Sequence, residues 1–322
     1  MMSMIKIFAT FSNLLFVAAI FLGLYWPQAA QASSVLILPA LMITLTVTLL
    51  RFPSGFLNEP RRLLSGALWG NLMNYLVLGN LIILGSIFLI RDEKYWIGLV
   101  LIAAVPPAVA ILPLSERLRG DKMLTLAGFA GTYLGALILT PLIGVAFLKF
   151  FPIHYDKLMI LAVTLIVLPL VLSRIAVDRK WDTWIERHEG NISAGCFFVI
   201  FYALAANNAH LIRQWSLEII LISVLALATV FLITLALMLI GRFYKVSHST
   251  ISTLLLLGTM KNYGLAGGIA LYIFNNEAAV PALIFSIFMF LNAIWLKFRA
   301  RNHAPSPASE QTPPTDTPPT YI

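Results

Sequence analysis

Ten runs of about twenty predominantly apolar residues follow one another along the chain, and this feature limits its fold more than any other. A transmembrane α-helix needs about 20 such residues because the hydrocarbon core of a bilayer is about 30 Å thick. Only 11% of the 322 residues are charged, whereas soluble domains carry about 25%. The sequence therefore predicts an all-α integral membrane protein whose ten transmembrane helices lie at residues 5–25, 34–50, 66–90, 95–114, 122–148, 157–176, 190–207, 217–240, 250–273 and 279–298.

Lysine and arginine are distributed unequally between the two ends of these spans. With the N-terminus placed in the cytoplasm, 16 of the 22 fall on the cytoplasmic side, 5 on the opposite side and Lys261 on neither. Such an excess is the positive-inside signature of membrane proteins. It predicts an even number of spans and cytoplasmic N- and C-termini in the plasma membrane, the inner membrane of a bacterium. It also accounts for the net charge of +8 without a nucleic-acid partner.

Both ends of the chain carry additional signals. Lys6, the apolar run after it and the Ala30-Gln31-Ala32 tripeptide resemble a signal peptide with its cleavage site. The run is long for a signal peptide and cleavage would leave nine spans, so we favour an uncleaved first helix. Residues 302–322 are rich in proline, threonine and serine. Because such a composition cannot bury enough apolar surface to fold, we predict a disordered cytoplasmic tail after a transporter domain at 1–301.

Two spans contain residues that interrupt helices. The fourth contains Pro106-Pro107, and the ninth contains the stretch 258–264 followed by Gly267-Gly268. Proline removes a backbone donor and clashes with the preceding turn. The fourth and ninth of ten spans occupy matching positions in two halves of five, at about 5–150 and 155–298. This predicts two inverted five-helix repeats with crossing broken helices, the usual setting of a transporter binding site. The alternative is that each break merely kinks an ordinary span.

Lys261 is the one formal charge deep within any predicted span, 11 residues from the start of its span and 12 from the end. A lysine at a helix centre costs roughly 2.5–3.5 kcal/mol on insertion scales. Such residues usually face a cavity and have a functional role. The structural alternative is that the ammonium hydrogen-bonds carbonyls freed by the broken helix, and both interpretations can hold together.

Several polar side chains lie within the spans and are further candidates for solute or ion binding. Asn71 and Asn74 share one helix face at a spacing of three residues. The others are Thr125, Thr259, Asn262 and Asn292. For any one of them, hydrogen bonding between helices is the commoner explanation.

Enzyme chemistry has little support in the sequence. The chain contains no H-E-x-x-H, G-x-S-x-G or Walker motif. The 14 acidic residues fall almost entirely in loops, so no span carries paired carboxylates for acid–base chemistry. The single cysteine, Cys196, excludes an intramolecular disulfide and argues against a cysteine-based metal site. We therefore expect no enzymatic activity, no cofactor and no bound metal.

Around the interrupted spans the sequence resembles the bile acid:sodium symporter family. The resembling motifs are Pro106-Pro107 through Arg119-Gly120-Asp121, Leu139-Thr140-Pro141-Leu142, Leu168-Pro169-Leu170-Val171-Leu172, Gly258-Thr259-Met260-Lys261-Asn262-Tyr263-Gly264-Leu265-Ala266, Val280-Pro281 and Phe285-Ser286. Their order and spacing extend over residues 5–298. The resemblance implies a ten-helix transporter built from inverted repeats and divided into a panel domain and a core domain.

The sequence departs from that family at the positions that bind sodium. Ile111 and Leu112 stand where the family has Ser and Asn, and Leu257 stands where it has an acidic residue. Lys261 takes the place of a Gln, and Phe129 that of a hydroxyl residue. Of the sodium ligands the resemblance implies, Thr125 and Asn262 are retained. The fold inference survives these changes, but sodium coupling does not follow from it.

Together these features predict a secondary transporter, in contact with the bilayer, that carries a small organic solute, expected to be an anion, with Lys261 in place of sodium. The predicted solute or ion site contains Lys261, Asn262, Pro106, Pro107, Thr125, Asn71, Asn74, Thr259 and Asn292. Two alternatives stay open. One is a non-transporting receptor or regulator on the same scaffold, and the other is a conventional sodium symporter with displaced sites.

Overall fold

A computed structural model of the chain describes residues 2–50, 60–148 and 155–302. Within these ranges the secondary structure is helical, and the one β-type pairing is an isolated bridge between two residues. The α-helices are α1 (Met2–Tyr25), α2 (Ala30–Leu49), α3 (Pro60–Asn71), α4 (Asn80–Leu89), α5 (Glu93–Ala104), α6 (Ile111–Arg117), α7 (Lys122–Leu148), α8 (Tyr155–Asp178), α9 (Asp182–Arg213), α10 (Leu217–Phe243), α11 (His248–Thr259), α12 (Tyr263–Ile273) and α13 (Asn276–Asn302).

Six helical segments of the described part are long and apolar enough to cross a bilayer: Pro27–Leu49, Leu63–Leu89, Lys122–Leu148, Arg187–Arg213, Leu217–Phe243 and Asn276–Ala300. Shorter apolar helices occupy Leu14–Tyr25 and Tyr263–Ile273. Large apolar side chains such as Phe88, Ile138 and Phe243 are more than two-thirds exposed, as expected for surfaces that contact lipid. The all-helical, membrane-integral prediction is confirmed at this level, while the ten-span inverted repeat stays a prediction.

The helices pack as two groups. In the first, α1 and α2 pack against α9, and α2 also contacts α8. In the second, α3 packs on α7, α13 packs on α5 and α12, and α10 packs on α11 and α13. Helix α9 contacts both α12 and α13, so it borders the second group. The predicted tail at 302–322 lies outside the described residues, except for Asn302, which ends α13.

The helix break predicted at Pro106-Pro107 is present. Helix α5 ends at Ala104 with Val105 in an extended conformation, and α6 begins at Ile111. Pro113 lies in the first turn of α6, where the missing backbone donor has no intrahelical partner to lose. The fourth apolar run is therefore two short helices separated by an irregular segment.

The break in the ninth run is narrower than predicted. The sequence predicts that residues 258–264 are non-helical, but α11 continues through Gly258 and Thr259 and α12 begins at Tyr263. The side chain of Asn262 accepts a hydrogen bond from the backbone N–H of Leu265 and so starts α12 at once as its N-cap. Only Met260, Lys261 and Asn262 separate the two helices.

Gly267 and Gly268, expected to help unwind this run, lie inside α12. They serve close packing instead. A Cβ atom on Gly267 would fall 2.6 Å from Leu204 of α9, and one on Gly268 would fall 2.7 Å from Ile37 of α2. Glycine at these positions therefore lets α12 approach the first group of helices.

Candidate functional site

The two helix breaks meet in the protein interior. The backbone N–H of Ala108 donates to the carbonyl of Met260 at 3.0 Å, and the N–H of Asn262 donates to the carbonyl of Pro106 at 2.9 Å. These two bonds form the isolated antiparallel bridge between Pro107 and Lys261. Buried backbone groups must find partners, and each break supplies the partners that the other lost when its helix ended.

The Lys261 side chain is fully buried at this crossover, with 0% exposure. Its Nζ atom donates to Asn74 Oδ1 at 2.6 Å, to the Ala103 carbonyl at 2.9 Å and to the Val105 carbonyl at 3.0 Å. A protonated ammonium has three donors and no acceptor. Three oxygen acceptors at hydrogen-bond distance therefore match the charged form of this side chain.

Two neighbouring features of the Lys261 side chain interact favourably with a positive charge. Ala103 and Val105 belong to the carboxyl end of α5, where unpaired carbonyls carry the negative end of the helix dipole. The Tyr75 ring lies on another side, with its centroid 4.8 Å from Nζ, a cation–π distance. The structural alternative for Lys261 was that its ammonium hydrogen-bonds carbonyls freed by the broken helix. These hydrogen bonds are present.

Every carbonyl from residue 103 to residue 107 receives a hydrogen bond from another part of the chain. Lys261 Nζ serves those of Ala103 and Val105. The remaining donors are Thr140 Oγ1 to Ala104 at 2.6 Å, Asn262 N to Pro106 at 2.9 Å and Tyr133 Oη to Pro107 at 3.1 Å. Each carbonyl that the break frees therefore has at least one hydrogen-bond donor within the protein.

A π-helical segment, Leu72–Gly79, joins α3 to α4 and carries both Asn74 and Tyr75. π-Helical turns are rare and are frequently found at functional sites. Asn74 is fully buried and Tyr75 is 6% exposed. The Nδ2 atom of Asn74 and the hydroxyl of Tyr75 have no hydrogen-bond partner within the described residues. Asn74 presents its amide oxygen to the ammonium, and Tyr75 presents the face of its ring. Neither residue directs a hydrogen-bond donor toward the ammonium.

The structure brings together five of the predicted site residues, which are Lys261, Asn262, Pro106, Pro107 and Asn74. Asn262 does not contact the ammonium through its side chain, since its Nδ2 donates to the Tyr133 hydroxyl at 3.3 Å and its Oδ1 caps α12. Thr259 is the last residue of α11 and so borders the break, but its hydroxyl donates to the Leu255 carbonyl.

The other predicted site residues hydrogen-bond elsewhere. Asn71 donates to carbonyls of α3 and α7, at Ala67 and Gly131. Asn292 accepts from Thr234 and donates to Thr259 at 3.5 Å. Thr125 belongs to a separate hydroxyl cluster, 2.7 Å from Ser115 Oγ and 3.0 Å from Thr253 Oγ1. Ile111, Leu112 and Leu257, at the implied sodium-ligand positions, are buried in the apolar core.

Sequence reasoning missed three residues of the crossover: Tyr75, Tyr133 and Thr140. Each is a polar side chain in an apolar run, which is a usable signal in membrane proteins because hydrocarbon offers no partner. Thr140 also precedes Pro141 within a motif that carries the family resemblance. Only the folded structure shows that these side chains reach the same break.

A cavity of about 580 Å³ is lined by residues of both groups of helices. The crossover, from Met260 to Gly264, forms part of its lining. An aromatic cluster lines its wall, with the Phe16 ring 4.4 Å from that of Phe290 and 4.7 Å from that of Phe201. Arg117, Arg187 and Lys297 line it together with a single carboxylate, Glu189. Cations thus outnumber anions among the charged side chains of the cavity outside the crossover.

Within the described residues no group of three or more His, Cys, Asp or Glu side chains is placed to hold a metal ion. The oxygens gathered at the crossover are carbonyl and amide oxygens, and they surround an ammonium instead.

Comparison with known protein families identifies the chain. The model of the SBF-like CPA transporter family matches residues 11–302, so the chain belongs to this family. No curated protein matches the sequence. Membership makes the chain an integral membrane protein of a transporter family, in agreement with the expectation drawn from the resemblance to bile acid:sodium symporters.

Proposed function

We propose that this member of the SBF-like CPA transporter family is a secondary transporter of a small organic anion, and that the Lys261 ammonium takes the place of a bound sodium ion. The observation that supports this proposal most strongly is that the three donors of one ammonium meet three oxygens at the crossover. A sodium ion and an ammonium both bring a single positive charge to such a cage. The Lys261 amine is covalently attached and fully buried, so it cannot leave the crossover with the solute as a free ion can.

Electrostatics supports independence from sodium. A second cation 4 Å from the ammonium would cost roughly 4 kcal/mol at an effective dielectric constant of 20. Coordination cannot offset this repulsion at Ile111, Leu112 and Leu257, because their side chains offer no oxygen ligand to a sodium ion. The carbonyls from residue 103 to residue 107 already accept hydrogen bonds from the protein.

The other oxygen-rich cluster is less suited to a displaced sodium site. The hydroxyls of Ser115, Thr125 and Thr253 bond one another at 2.7 and 3.0 Å. Thr125 also donates to the Asp121 carbonyl at 2.7 Å. A bound ion would have to disrupt this network, whereas a prepared ion site holds its oxygens apart.

The cavity supports an organic anion as the solute. Its aromatic and aliphatic walls suit an apolar body, and three of its four charged side chains outside the crossover are cations. Lys261 itself is enclosed and its donors are occupied. Its charge would therefore attract the solute through space, with direct contact left to the lining residues.

Transport by alternating access is supported by the position of the breaks. They fall in the fourth and ninth of ten apolar runs, the arrangement expected for two inverted five-helix repeats. The cavity lies between α9 and the group containing α6, α12 and α13. Movement of one helix group against the other would open the cavity alternately to the two sides of the membrane.

A two-step experiment tests the proposal and separates a transporter from a receptor. Purified protein is first screened for stabilisation by small organic anions, because a ligand at 100 times its Kd stabilises by about 2.7 kcal/mol. Flux of each stabilising anion is then measured in proteoliposomes. We expect saturable uptake. Binding without any flux would favour a non-transporting receptor.

A further inference from the structure

A second cavity, of about 360 Å³, lies away from the crossover, where α10 ends, α11 begins and α13 nears its end. Arg242, Lys245 and His248 line it from the α10–α11 connection, and Arg299 lines it from α13. No acidic residue lines it within the described part of the chain. Basic side chains from two separate parts of the sequence thus converge on one pocket.

The backbone at the end of α10 builds this pocket. Lys245 adopts a left-handed conformation, with φ of 52°. The N–H of Val246 donates to the Gly241 carbonyl at 3.0 Å, and the N–H of Lys245 donates to that of Arg242 at 3.4 Å. This is the bonding pattern of a Schellman motif. A Cβ on Gly241 would fall 2.6 Å from Ile251, so glycine there lets α11 close one side of the pocket.

The floor of the pocket is apolar. Leu118, Leu255 and Leu296 line it and are each buried. Close to the basic side chains in sequence, Leu239 and Phe243 of α10 and Phe298 of α13 are 63%, 79% and 63% exposed. On an integral membrane protein such side chains contact acyl chains. The pocket therefore combines basic side chains with an apolar floor, and exposed apolar side chains that suit contact with lipid adjoin its lining residues in sequence.

We propose that this pocket binds the phosphate headgroup of an acidic phospholipid. Basic pockets between helices on the cytoplasmic side suit such headgroups, and the positive-inside pattern places Arg242, Lys245 and Arg299 on that side. Free inorganic phosphate has the same headgroup chemistry. The apolar floor and the neighbouring exposed side chains favour the lipid, because only a lipid can use both. The site is distinct from the solute cavity and does not depend on the transported solute.

Native mass spectrometry of the full chain in detergent, titrated with phosphatidylglycerol, tests the proposal. The test variant is Arg242→Gln/Lys245→Gln. Its matched control is Arg179→Gln/Lys180→Gln, which removes an exposed Arg-Lys pair whose lysine also has a left-handed backbone, with φ of 60°. Each basic residue near a membrane surface strengthens the attraction of acidic lipids. Losing two of them should therefore weaken the binding of phosphatidylglycerol about thirtyfold. The control should bind as the wild type does.

Three further arms make the outcome decisive. Phosphatidylcholine with the same acyl chains should bind weakly to all proteins, and inorganic phosphate should not compete with phosphatidylglycerol. Arg299→Gln, on a different helix, should weaken binding about fivefold, which guards against a folding defect of the double variant. Unchanged binding in the test variant, equal losses in the control, or effective competition by inorganic phosphate would each overturn the proposal.

Discussion

The Nζ atom of Lys261 lies 2.6 Å from the Oδ1 atom of Asn74, which joins the break between α11 and α12 to the π-helical segment. Two further bonds from the same nitrogen reach carbonyls at the end of α5. One ammonium therefore connects three elements that are far apart in sequence. The proposed independence from sodium depends on these three contacts.

Replacing Lys261 with methionine should destabilise the protein and abolish transport. Methionine has a similar length but no donor, so it leaves three buried oxygens unpaired, at about 1–3 kcal/mol each. Removing a buried charge also removes the cost of burying it, which offsets part of this effect. We therefore expect the free energy of unfolding to fall by about 3 kcal/mol. Thermal unfolding in detergent measures the stability, and proteoliposome flux measures the activity.

Lys94→Met is the control for that variant. Lys94 is exposed, and its Nζ atom is 2.9 Å from Glu277 Oε1 in a surface ion pair. Such pairs contribute little to stability, so the melting temperature should hardly change. A Lys261→Met protein with wild-type stability and flux would show that the buried ammonium is dispensable.

Thr140→Val should destabilise the crossover, because it removes the donor to the Ala104 carbonyl while keeping the side-chain shape. An unpaired buried carbonyl costs about 1–3 kcal/mol. Thr229→Val is the matched comparison, since the Thr229 hydroxyl bonds carbonyls of its own helix, at Leu225 and Ala226. Thr229→Val should lower the free energy of unfolding by less than Thr140→Val does, because the Leu225 and Ala226 carbonyls keep their partners within the helix. Equal destabilisation of the two variants in thermal melts would argue against a special role for the break.

Neutralising the cavity cations should weaken anion binding and leave the fold intact. Arg187→Gln and Lys297→Gln each remove one charge from the cavity lining. A bond to a charged group contributes about 1.5–3 kcal/mol, so affinity for a stabilising anion should fall at least tenfold. Raised salt should reduce the wild-type affinity in the same direction. Arg91→Gln is the control, because Arg91 lies between the third and fourth spans, on the side of the membrane predicted to be opposite to Arg187 and Lys297. Anion affinity equal to wild type in both cavity variants would remove the basis for an anionic solute.

The charge asymmetry predicts the orientation in the membrane. Reporter fusions at residue 300 should report the cytoplasm, whereas fusions near Ala29 and Glu277 should report the opposite side. The six long apolar helices of the described chain do not by themselves define this orientation. A cytoplasmic signal at Glu277 would contradict the ten-span arrangement.

The features of the fold that depend on local chemistry could be predicted from the sequence. Two adjacent prolines inside an apolar run remove two backbone donors and clash with the preceding turn, so Pro106 and Pro107 predict the break that follows Ala104. A lysine in the middle of an apolar run must find partners, and Lys261 does so.

Features that depend on tertiary packing could not be predicted in the same way. Asn74 and Asn71 share a helix face by spacing, yet only Asn74 contacts Lys261, and the π-helical segment begins between them at Leu72. Gly267 and Gly268 are typical of unwound helices, but their role is close contact with α9 and α2. The family resemblance assigns Thr125 to the site, whereas its hydroxyl bonds those of Ser115 and Thr253.

The sodium dependence of anion uptake tests the replacement of sodium by Lys261 most directly. Uptake of a stabilising anion by wild-type proteoliposomes is measured in sodium, and then in choline or potassium, at fixed pH. Because the Lys261 ammonium already occupies the oxygen cage at the crossover, we predict equal rates in all three media. A strict requirement for sodium would contradict this replacement.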